Sequence, residues 1–411
     1  MSRPPISLSS LGPGDAPGSG QAPGSGQRDG LGLDSDIGCD ITHVAGPVTP
    51  VAPVGASPVL ADHTTFRLGG PARRLVVASS EAELVAAVTA ADRAGEPLLV
   101  LSGGSNLLVA DEGFQGTVVK VASRGISADV SGCGGAVVTV AAGEPWDYFV
   151  AYTISQEWLG LETLSGIPGL VGSTPIQNVG AYGSDVSQTI YRVRTLDRQT
   201  GQLRTFAAAD CGFAYRDSVF KRTRMPDGGP TGRYVVLEVA FQLELGNRSA
   251  PIRYAELARR LGVEPGERAD TTAVREAVLD LRRGKGMVSD PADPDTWSAG
   301  SFFTNPILEA GAADTLPADA PRFDAGDGRT KSSAAWLIDH AGFAKGFSVS
   351  PSSLGDGPAA TLSTKHTLAL TNRGNARTED VLELARHVRD GVRETFGVEL
   401  EPEPVLVGCR I

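Results

Sequence analysis

An amphipathic helix is the first regular pattern along the chain. Ser80 and Glu83 have the spacing of a capping box, in which each side chain binds a backbone amide at the start of a helix. Leu84, Val88 and Ala91 follow at intervals of four and three residues, so they fall on one face. The pattern predicts a helix with one buried face that begins at Ser80.

Two glycine-rich runs interrupt the regular pattern. Residues 98–101 are apolar and predict a short strand, which leads directly into Ser-Gly-Gly-Ser-Asn at residues 102–106. A longer run, residues 166–183, contains five glycines. Glycine lets backbone amides surround phosphate oxygens, so both runs favour a dinucleotide pyrophosphate as ligand. Neither run matches G-x-G-x-x-G or G-x-x-x-x-G-K-[ST], so a Rossmann or P-loop site is not supported, and tight turns alone remain the alternative.

The second half of the chain mixes a long strand with amphipathic helices. Residues 234–245 alternate apolar and polar side chains, which predicts a half-buried antiparallel strand. Helices are predicted at residues 273–283 and 378–396, the second capped by Thr378 and ended by Gly397. Loops are predicted at residues 311–330 and 350–360.

Composition and charge narrow the class of protein. A chain of 411 residues is long enough for two or three domains. Its formal charge of -11 would repel a phosphate backbone, so no nucleic-acid partner is expected. No apolar run is long enough to span a membrane, and no C-x-x-C pair or other pattern indicates a metal site. Residues 1–45 are rich in Gly, Pro and Ser without the features of a secretory signal, so they predict a disordered tail on a cytoplasmic protein.

Several blocks in the same order resemble the UDP-N-acetylenolpyruvoylglucosamine reductases. Together they cover roughly residues 60–411, which chance or a shared fold alone would hardly produce. The blocks are residues 64–70, 102–109, 167–183, 215–221, 299–306, 336–339 and 400–403.

The resemblance implies an α+β fold in which two subdomains hold FAD, as in the vanillyl-alcohol-oxidase-like flavoproteins, and a separate α+β domain binds substrate. The FAD is expected to be non-covalent, because the loop offers Ser105 and Asn106 instead of the His or Cys to which related oxidases tether flavin. The expected domains are residues 1–45 (tail), 46–125 and 126–250 (FAD-binding subdomains), 251–397 (substrate domain) and 398–411 (a C-terminal strand returning to the active site).

The resemblance also implies which residues surround the cofactor. Most of them belong to the two glycine-rich runs, and one arginine lies outside them. The expected FAD-binding residues are Arg67, Gly103, Gly104, Ser105, Asn106, Ile167, Pro168, Gly169, Gly172, Ser173, Gln177, Asn178, Gly180, Ala181, Tyr182 and Gly183.

Three residues are the expected catalytic groups, each with an ordinary structural alternative. Arg216 would hold the substrate carboxylate and stabilise charge that develops on it, or else form a simple ion pair with Asp217. Ser301 would be the general acid for the substrate α-carbon, or else a turn hydroxyl. Glu403 would assist Arg216 and Ser301, or else be a solvated carboxylate. Pro404 departs from the family pattern and leaves Glu401 open as the acting residue.

Four further residues match positions that hold the nucleotide part of the substrate. Lys285 would face a phosphate, and Tyr254 resembles the residue of an extra loop that closes over the diphosphate. The alternatives are packing for Tyr254 and a surface position for His366. The four are Tyr254, Lys285, Asn305 and His366.

The implied reaction belongs to bacterial peptidoglycan precursor synthesis, and therefore to cell shape and division. NADPH would reduce FAD and leave, and UDP-N-acetylenolpyruvoylglucosamine would then occupy the same cleft, which predicts ping-pong kinetics. A monomer acting on these two small molecules is expected. The rivals are a sugar or alcohol oxidase of the same fold and a nucleotide-sugar or flavin sensor without turnover.

Overall fold

A computed structural model describes residues 40–47, 57–349 and 357–411. In chain order the strands are β1 Thr42–Ala45, β2 Ala72–Ala78, β3 Leu98–Leu101, β4 Leu107–Val109, β5 Phe114–Val121, β6 Ile126–Ser131, β7 Gly135–Ala141, β8 Trp158–Leu159, β9 Gly180–Ala181, β10 Ser184–Asp185, β11 Ile190–Asp197, β12 Gln202–Ala207, β13 Tyr234–Leu245, β14 Ile307–Leu308, β15 Phe323–Asp324, β16 Thr330–Lys331, β17 Ala360–Leu362, β18 Leu370–Asn372 and β19 Val405–Val407. The helices are α1 Glu81–Arg93, α2 Trp146–Ser155, α3 Val219–Arg222, α4 Ala255–Leu261, α5 Thr271–Gly284, α6 Ala334–His340 and α7 Thr378–Phe396.

Helix α1 begins as its sequence predicts. Ser80 accepts a hydrogen bond from the Glu83 amide, and the Glu83 carboxylate accepts one from the Ser79 amide. Leu84 and Val88 are fully buried against the neighbouring strands. The capped helix therefore leads into β3 and, through it, into the first glycine-rich run.

Two sheets carry the first half of the chain. The larger sheet has the order β1-β6-β7-β13-β11-β12, all antiparallel, with β8 paired to the end of β13. The smaller sheet is parallel, with β5 between β2 and β3. Strand β13 is predicted to be half-buried, but most of it is covered on both faces because it is a central strand, and only its last residues alternate with solvent.

The end of the predicted tail differs from the expectation. Thr42–Ala45 form β1, which pairs in register with β6, although their side chains are mostly exposed. Pairing at a sheet edge uses backbone groups, so composition does not reveal it. Residues 1–39 of that tail, and residues 350–356 of the loop predicted at 350–360, lie outside the described residues.

The last third of the chain packs around α6 and α7. Leu337, Ile338, Val381, Leu384 and Val388 are buried in a core of their own with β17 and β18. Helix α7 ends at Gly397 in the left-handed conformation, as predicted.

Strand β19 returns from this core to pair in parallel with β4, directly after the first glycine-rich run. The cap predicted for α7 is wrong: Arg377 is the N-cap residue, and the Thr378 hydroxyl donates instead to the Val109 carbonyl. That bond helps to tie the C-terminal core to β4. No helix within the described ranges is long and apolar enough to cross a membrane.

Candidate active site

Both glycine-rich runs, the end of β19 and the C-terminal core line one cavity of about 530 Å³. It contains all three expected catalytic residues, three of the four expected nucleotide-binding residues and most of the expected cofactor residues. Those that line it are Gly103, Gly104, Ser105, Asn106, Ile167, Pro168, Gly172, Ser173, Gln177, Gly180, Ala181, Tyr182, Arg216, Tyr254, Lys285, Ser301, His366 and Glu403.

The two glycine-rich runs touch each other at their backbones. A Cβ on Gly103 would lie 2.5 Å from the Gly169 Cα, and one on Gly104 would lie 1.9 Å from the His63 carbonyl oxygen. Gly104 also has a φ of +66°, in the left-handed region. A larger residue at 103 would push the two runs apart, and one at 104 would clash with the His63 backbone, so both positions need glycine.

The lining fits the phosphate groups of a dinucleotide. Within the described residues, the amides of Gly103, Gly104 and Ser105 donate to no protein acceptor. Ser102 Oγ, Arg216 Nε and Arg282 Nε belong to cavity-lining residues, and each is buried without a hydrogen-bond partner in the described part of the chain. Buried donors of this kind are costly unless an acceptor satisfies them, and phosphate or carboxylate oxygens would do so.

Four expected ligand residues stand outside the lining in supporting positions. Gly169 backs Gly103, as described above, and Gly183 has a φ of +85° beside the Tyr254 Cβ. Asn178 is buried with a φ of +47°, and its amide joins Ala214 O to the Ser187 amide. The guanidinium of Arg67 lies over the Trp297 ring, 3.9 Å from its centroid.

Asn305 is the expected substrate residue that does not reach the cavity lining. Its Oδ1 accepts a hydrogen bond of 3.0 Å from the Ala334 amide at the start of α6, and it also contacts the Tyr215 hydroxyl. Asn305 therefore links the C-terminal core to the residue before Arg216.

A tight turn holds Arg216 in an uncommon backbone conformation. Ala214 and Asp217 exchange two backbone hydrogen bonds around it, and Arg216 has a φ of +52°. Its guanidinium donates to Gly180 O at 3.0 Å, and Lys221 Nζ donates to the Arg216 carbonyl at 2.8 Å. Left-handed backbone is costly for a non-glycine residue, and such strain concentrates at functional sites.

Glu403 is the carboxylate that meets Arg216. Its Oε1 lies 3.1 Å from Arg216 Nε, although the N–H is not aligned for a hydrogen bond. Gln177 Nε2 donates to the same oxygen at 3.3 Å, and Asn106 Nδ2 donates to Gln177 Oε1 at 3.0 Å. Burial raises the pKa of Glu403 even though Arg216 and Lys221 lower it. Glu401, the other candidate, is exposed and does not line the cavity.

Backbone hydrogen bonds hold the Ser301 segment against the Glu403 segment. The Glu403 amide donates to the Phe302 carbonyl at 2.8 Å, and Phe303 forms a bridge with Pro402. Gly300 turns the chain with a φ of +76°. The hydroxyl and the carboxylate thus come from neighbouring extended segments at the same cavity.

A second group of residues forms the part of the cavity expected to hold the nucleotide. The rings of Tyr182 and Tyr254 pack edge to face with centroids 5.4 Å apart. Lys285 Nζ lies 2.7 Å from the Glu256 carboxylate and 5.8 Å from the Tyr182 ring centroid. Burial, with Lys285 nearby, lowers the pKa of His366 to about 4, so its imidazole is neutral at pH 7.

Arg282 is a lining residue that the sequence did not single out. It lies in the last turn of α5, and its guanidinium donates to Met287 O at 2.8 Å. Burial lowers its pKa to about 10. Within the sequence it is one of several basic residues at a helix end, which is the ordinary place for exposed cations.

Protein-family comparisons match two separate parts of the chain. An FAD binding domain matches residues 72–207, and the C-terminal domain of UDP-N-acetylenolpyruvoylglucosamine reductase matches residues 291–407. The FAD-binding fold with a separate C-terminal domain is therefore confirmed.

Within the residues that the structure describes, no group of three or more His, Cys, Asp or Glu side chains is placed to hold a metal ion.

Curated relatives and a solved structure are similar to this chain over most of its length. The UDP-N-acetylenolpyruvoylglucosamine reductase of Cutibacterium acnes is 62% identical, covering 86% of this chain and 90% of the relative. That of Saccharopolyspora erythraea is 57% identical, covering 87% and 98%. The crystal structure of the enzyme from Thermus caldophilus superposes with a TM-score of 0.56 at 25% identity, covering 90% of this chain and 99% of that one. The chain therefore belongs to the UDP-N-acetylenolpyruvoylglucosamine reductase family.

Proposed function

We propose that Arg216, Ser301 and Glu403 are the catalytic residues of an enzyme that reduces UDP-N-acetylenolpyruvoylglucosamine to UDP-N-acetylmuramate with NADPH. The observation that carries the proposal is their convergence on the cavity that the two glycine-rich runs also line. FAD, when bound to the two runs, supplies the hydride that NADPH has delivered and that adds to the substrate methylene carbon. Side chains of the protein stabilise the negative charge that develops on the substrate and supply the proton that its α-carbon needs.

Arg216 binds the substrate carboxylate and stabilises the negative charge that builds up on it during hydride addition. The unaligned contact with Glu403 leaves Arg216 Nε–H without an acceptor among the residues that the structure describes. A carboxylate of the substrate would provide that acceptor, and charge-assisted bonds of this kind are the stronger ones. In a buried site such a donor stabilises developing charge more than it would in water.

Ser301 donates the proton that the substrate α-carbon needs after hydride addition. Hydride on the methylene carbon and a proton on the α-carbon complete the two-electron reduction of the double bond. A hydroxyl is a weak acid, so the transfer requires neighbours that stabilise the alkoxide or replace its proton. Glu403, whose pKa burial raises, is held on the adjoining segment and is suited to that role.

Gln177 and Asn106 position the Glu403 side chain. Because Asn106 donates to Gln177 Oε1, the amide nitrogen of Gln177 points at Glu403 Oε1. A fixed donor on one oxygen leaves the other oxygen of Glu403 for the reacting groups. The two amides come from the two glycine-rich runs, so the cofactor site and the carboxylate share one framework.

Ser301→Ala tests the proposal by separating the two half-reactions. Reduction of bound flavin by NADPH should be unchanged, whereas its reoxidation by the enolpyruvyl nucleotide should slow about 10²- to 10⁴-fold, because only that step needs the proton. Stopped-flow absorbance of the flavin measures both rates. Ser301→Cys should recover part of the loss, since a thiol also donates a proton. Equal slowing of both half-reactions would contradict the role given to Ser301.

We also propose that the enzyme acts as a cytoplasmic monomer. The support for a monomer is that one chain brings Arg216, Ser301 and Glu403 to a single cavity, so the site can be assembled without residues from a second copy. Light scattering on the purified protein, with and without the nucleotide, measures the oligomeric state. The oxidase alternative is tested in the same preparation, because NADPH oxidation that ignores the nucleotide would rule out a reductase.

A further inference from the structure

Lys120 stands directly behind the first glycine-rich run. It lies near the end of β5, where it is paired with Leu101 of β3, the residue before the run. Its Nζ donates a hydrogen bond of 2.9 Å to the carbonyl oxygen of Ser102. The ammonium therefore holds the residue from which the chain turns into Gly103 and Gly104.

The ammonium of Lys120 is hydrogen-bonded to a carbonyl and not to a carboxylate, so this contact does not neutralise its charge. Burial and, to a smaller extent, the neighbouring cation Arg124 lower the pKa of Lys120 to about 8. The partner of its Nζ is a neutral carbonyl, whereas Arg124 has Glu144 as a countercharge. A partly buried ammonium without a carboxylate costs folding free energy, so its presence calls for another source of negative charge.

The run in front of Lys120 is built to receive an anion. The amides of Gly103, Gly104 and Ser105 have no acceptor among the described residues, and Ser102 Oγ is buried without a partner. Successive unpaired amides form an anion-binding nest. A cation that fixes the carbonyl at the start of such a nest also orients the amides that follow it.

We propose that Lys120 is a positioning residue for FAD: its ammonium anchors the Ser102 carbonyl, and its charge favours the pyrophosphate at the amides of residues 103–105. The proposal rests on FAD binding by this cavity. It is independent of the roles given to Ser301 and Arg216, because it concerns cofactor affinity and not the chemical step.

Lys120→Met tests the proposal on the apoprotein, prepared by removing flavin from the full chain. Titration with FAD, followed by quenching of flavin fluorescence, should give a Kd about 10- to 100-fold higher than that of the wild type. The melting temperature of the apoprotein should be unchanged or higher, since the substitution removes a buried charge. A purely structural lysine would produce the opposite pair of results.

Lys120→Gln separates the hydrogen bond from the charge, because its amide can still donate to Ser102 O. Its FAD Kd should lie between those of the wild type and Lys120→Met, and raised salt should weaken FAD binding less in both variants. Lys345→Met is the matched control, since Lys345 is exposed, and its Kd should equal that of the wild type. Wild-type affinity in Lys120→Met, or an apoprotein that no longer folds, would overturn the proposal.

Discussion

Two cations of the same cavity, Arg216 and Lys285, face carboxylates in different ways. Glu403 is 10% exposed in its side chain, and it meets Arg216 at 3.1 Å without hydrogen-bond alignment. Glu256 and Lys285 are each about one third exposed and meet at 2.7 Å. The first pair is the less exposed of the two and is poorly aligned, and the second is more accessible and well formed.

The difference indicates which ion pair stays together during the reaction and which one a ligand can replace. Separating a buried pair is costly, so Arg216 and Glu403 stay together and keep an unsatisfied donor for the substrate. A partly exposed pair is worth about 1 kcal/mol or less, so a diphosphate can take Lys285 from Glu256 at little cost. Arg216 should therefore affect the chemical step, and Lys285 should affect binding.

Among the variants that test this comparison, the largest effect is expected from Arg216→Met. Flavin reoxidation by the nucleotide should slow about 10²- to 10³-fold, because one donor to the developing charge is lost. Flavin reduction by NADPH should change little. Arg216→Lys is the matched control for charge, and it should recover only part of the rate, since an ammonium lacks the planar pair of donors. If Arg216→Met changed only the KM for the nucleotide, Arg216 and Lys285 would both affect binding, and the proposed difference between them would be wrong.

A smaller effect on a different parameter is expected from Lys285→Met. The KM for the nucleotide should rise about 10- to 100-fold with kcat nearly unchanged, because a charge-assisted contact to phosphate is made equally in the ground and transition states. Glu256→Gln is the control: it removes the competing carboxylate and should leave KM unchanged or lower it. A higher KM in Glu256→Gln would show that Glu256 positions Lys285 for the nucleotide.

The smallest effect is expected from His366→Gln, and it is measured in stability. The pKa of His366 falls from 6.5 to about 4 on folding, so the unfolded chain takes up the proton first as pH decreases. This contribution to stability is complete above pH 6.5 and is lost as pH falls towards 4. Melting temperature should therefore fall less steeply over that range in the variant than in the wild type. Parallel pH curves would place His366 in a solvated environment.

The sequence predicted the parts of the site that depend on local motifs. The capping box at Ser80, strand β3 and the glycine-rich run after it follow one another as expected, because hydrophobic period and turn chemistry are local. The blocks that resemble one family pointed to Arg216, Ser301 and Glu403 as catalytic residues. The structure brings all three to one cavity. Their catalytic roles remain proposals.

What sequence reasoning missed depends on burial and on contacts between distant segments. Lys120 and Arg282 are ordinary basic residues in a strand and at a helix end until packing removes water from them. The turn of Asn305 towards Tyr215 likewise follows from how the C-terminal core meets the FAD-binding sheets. The sequence favoured Glu403 and left Glu401 open, and the fold places Glu403 beside Arg216.

The sequence by itself determined the α+β elements, the two glycine-rich runs and the family, because each is written in contiguous residues. Only the tertiary structure decided which charges are desolvated, which donors lack acceptors and which carboxylate meets Arg216. The physical reason is that solvation and Coulomb energies depend on separation in space, and residues 106, 177, 216 and 403 become neighbours only when the chain has folded.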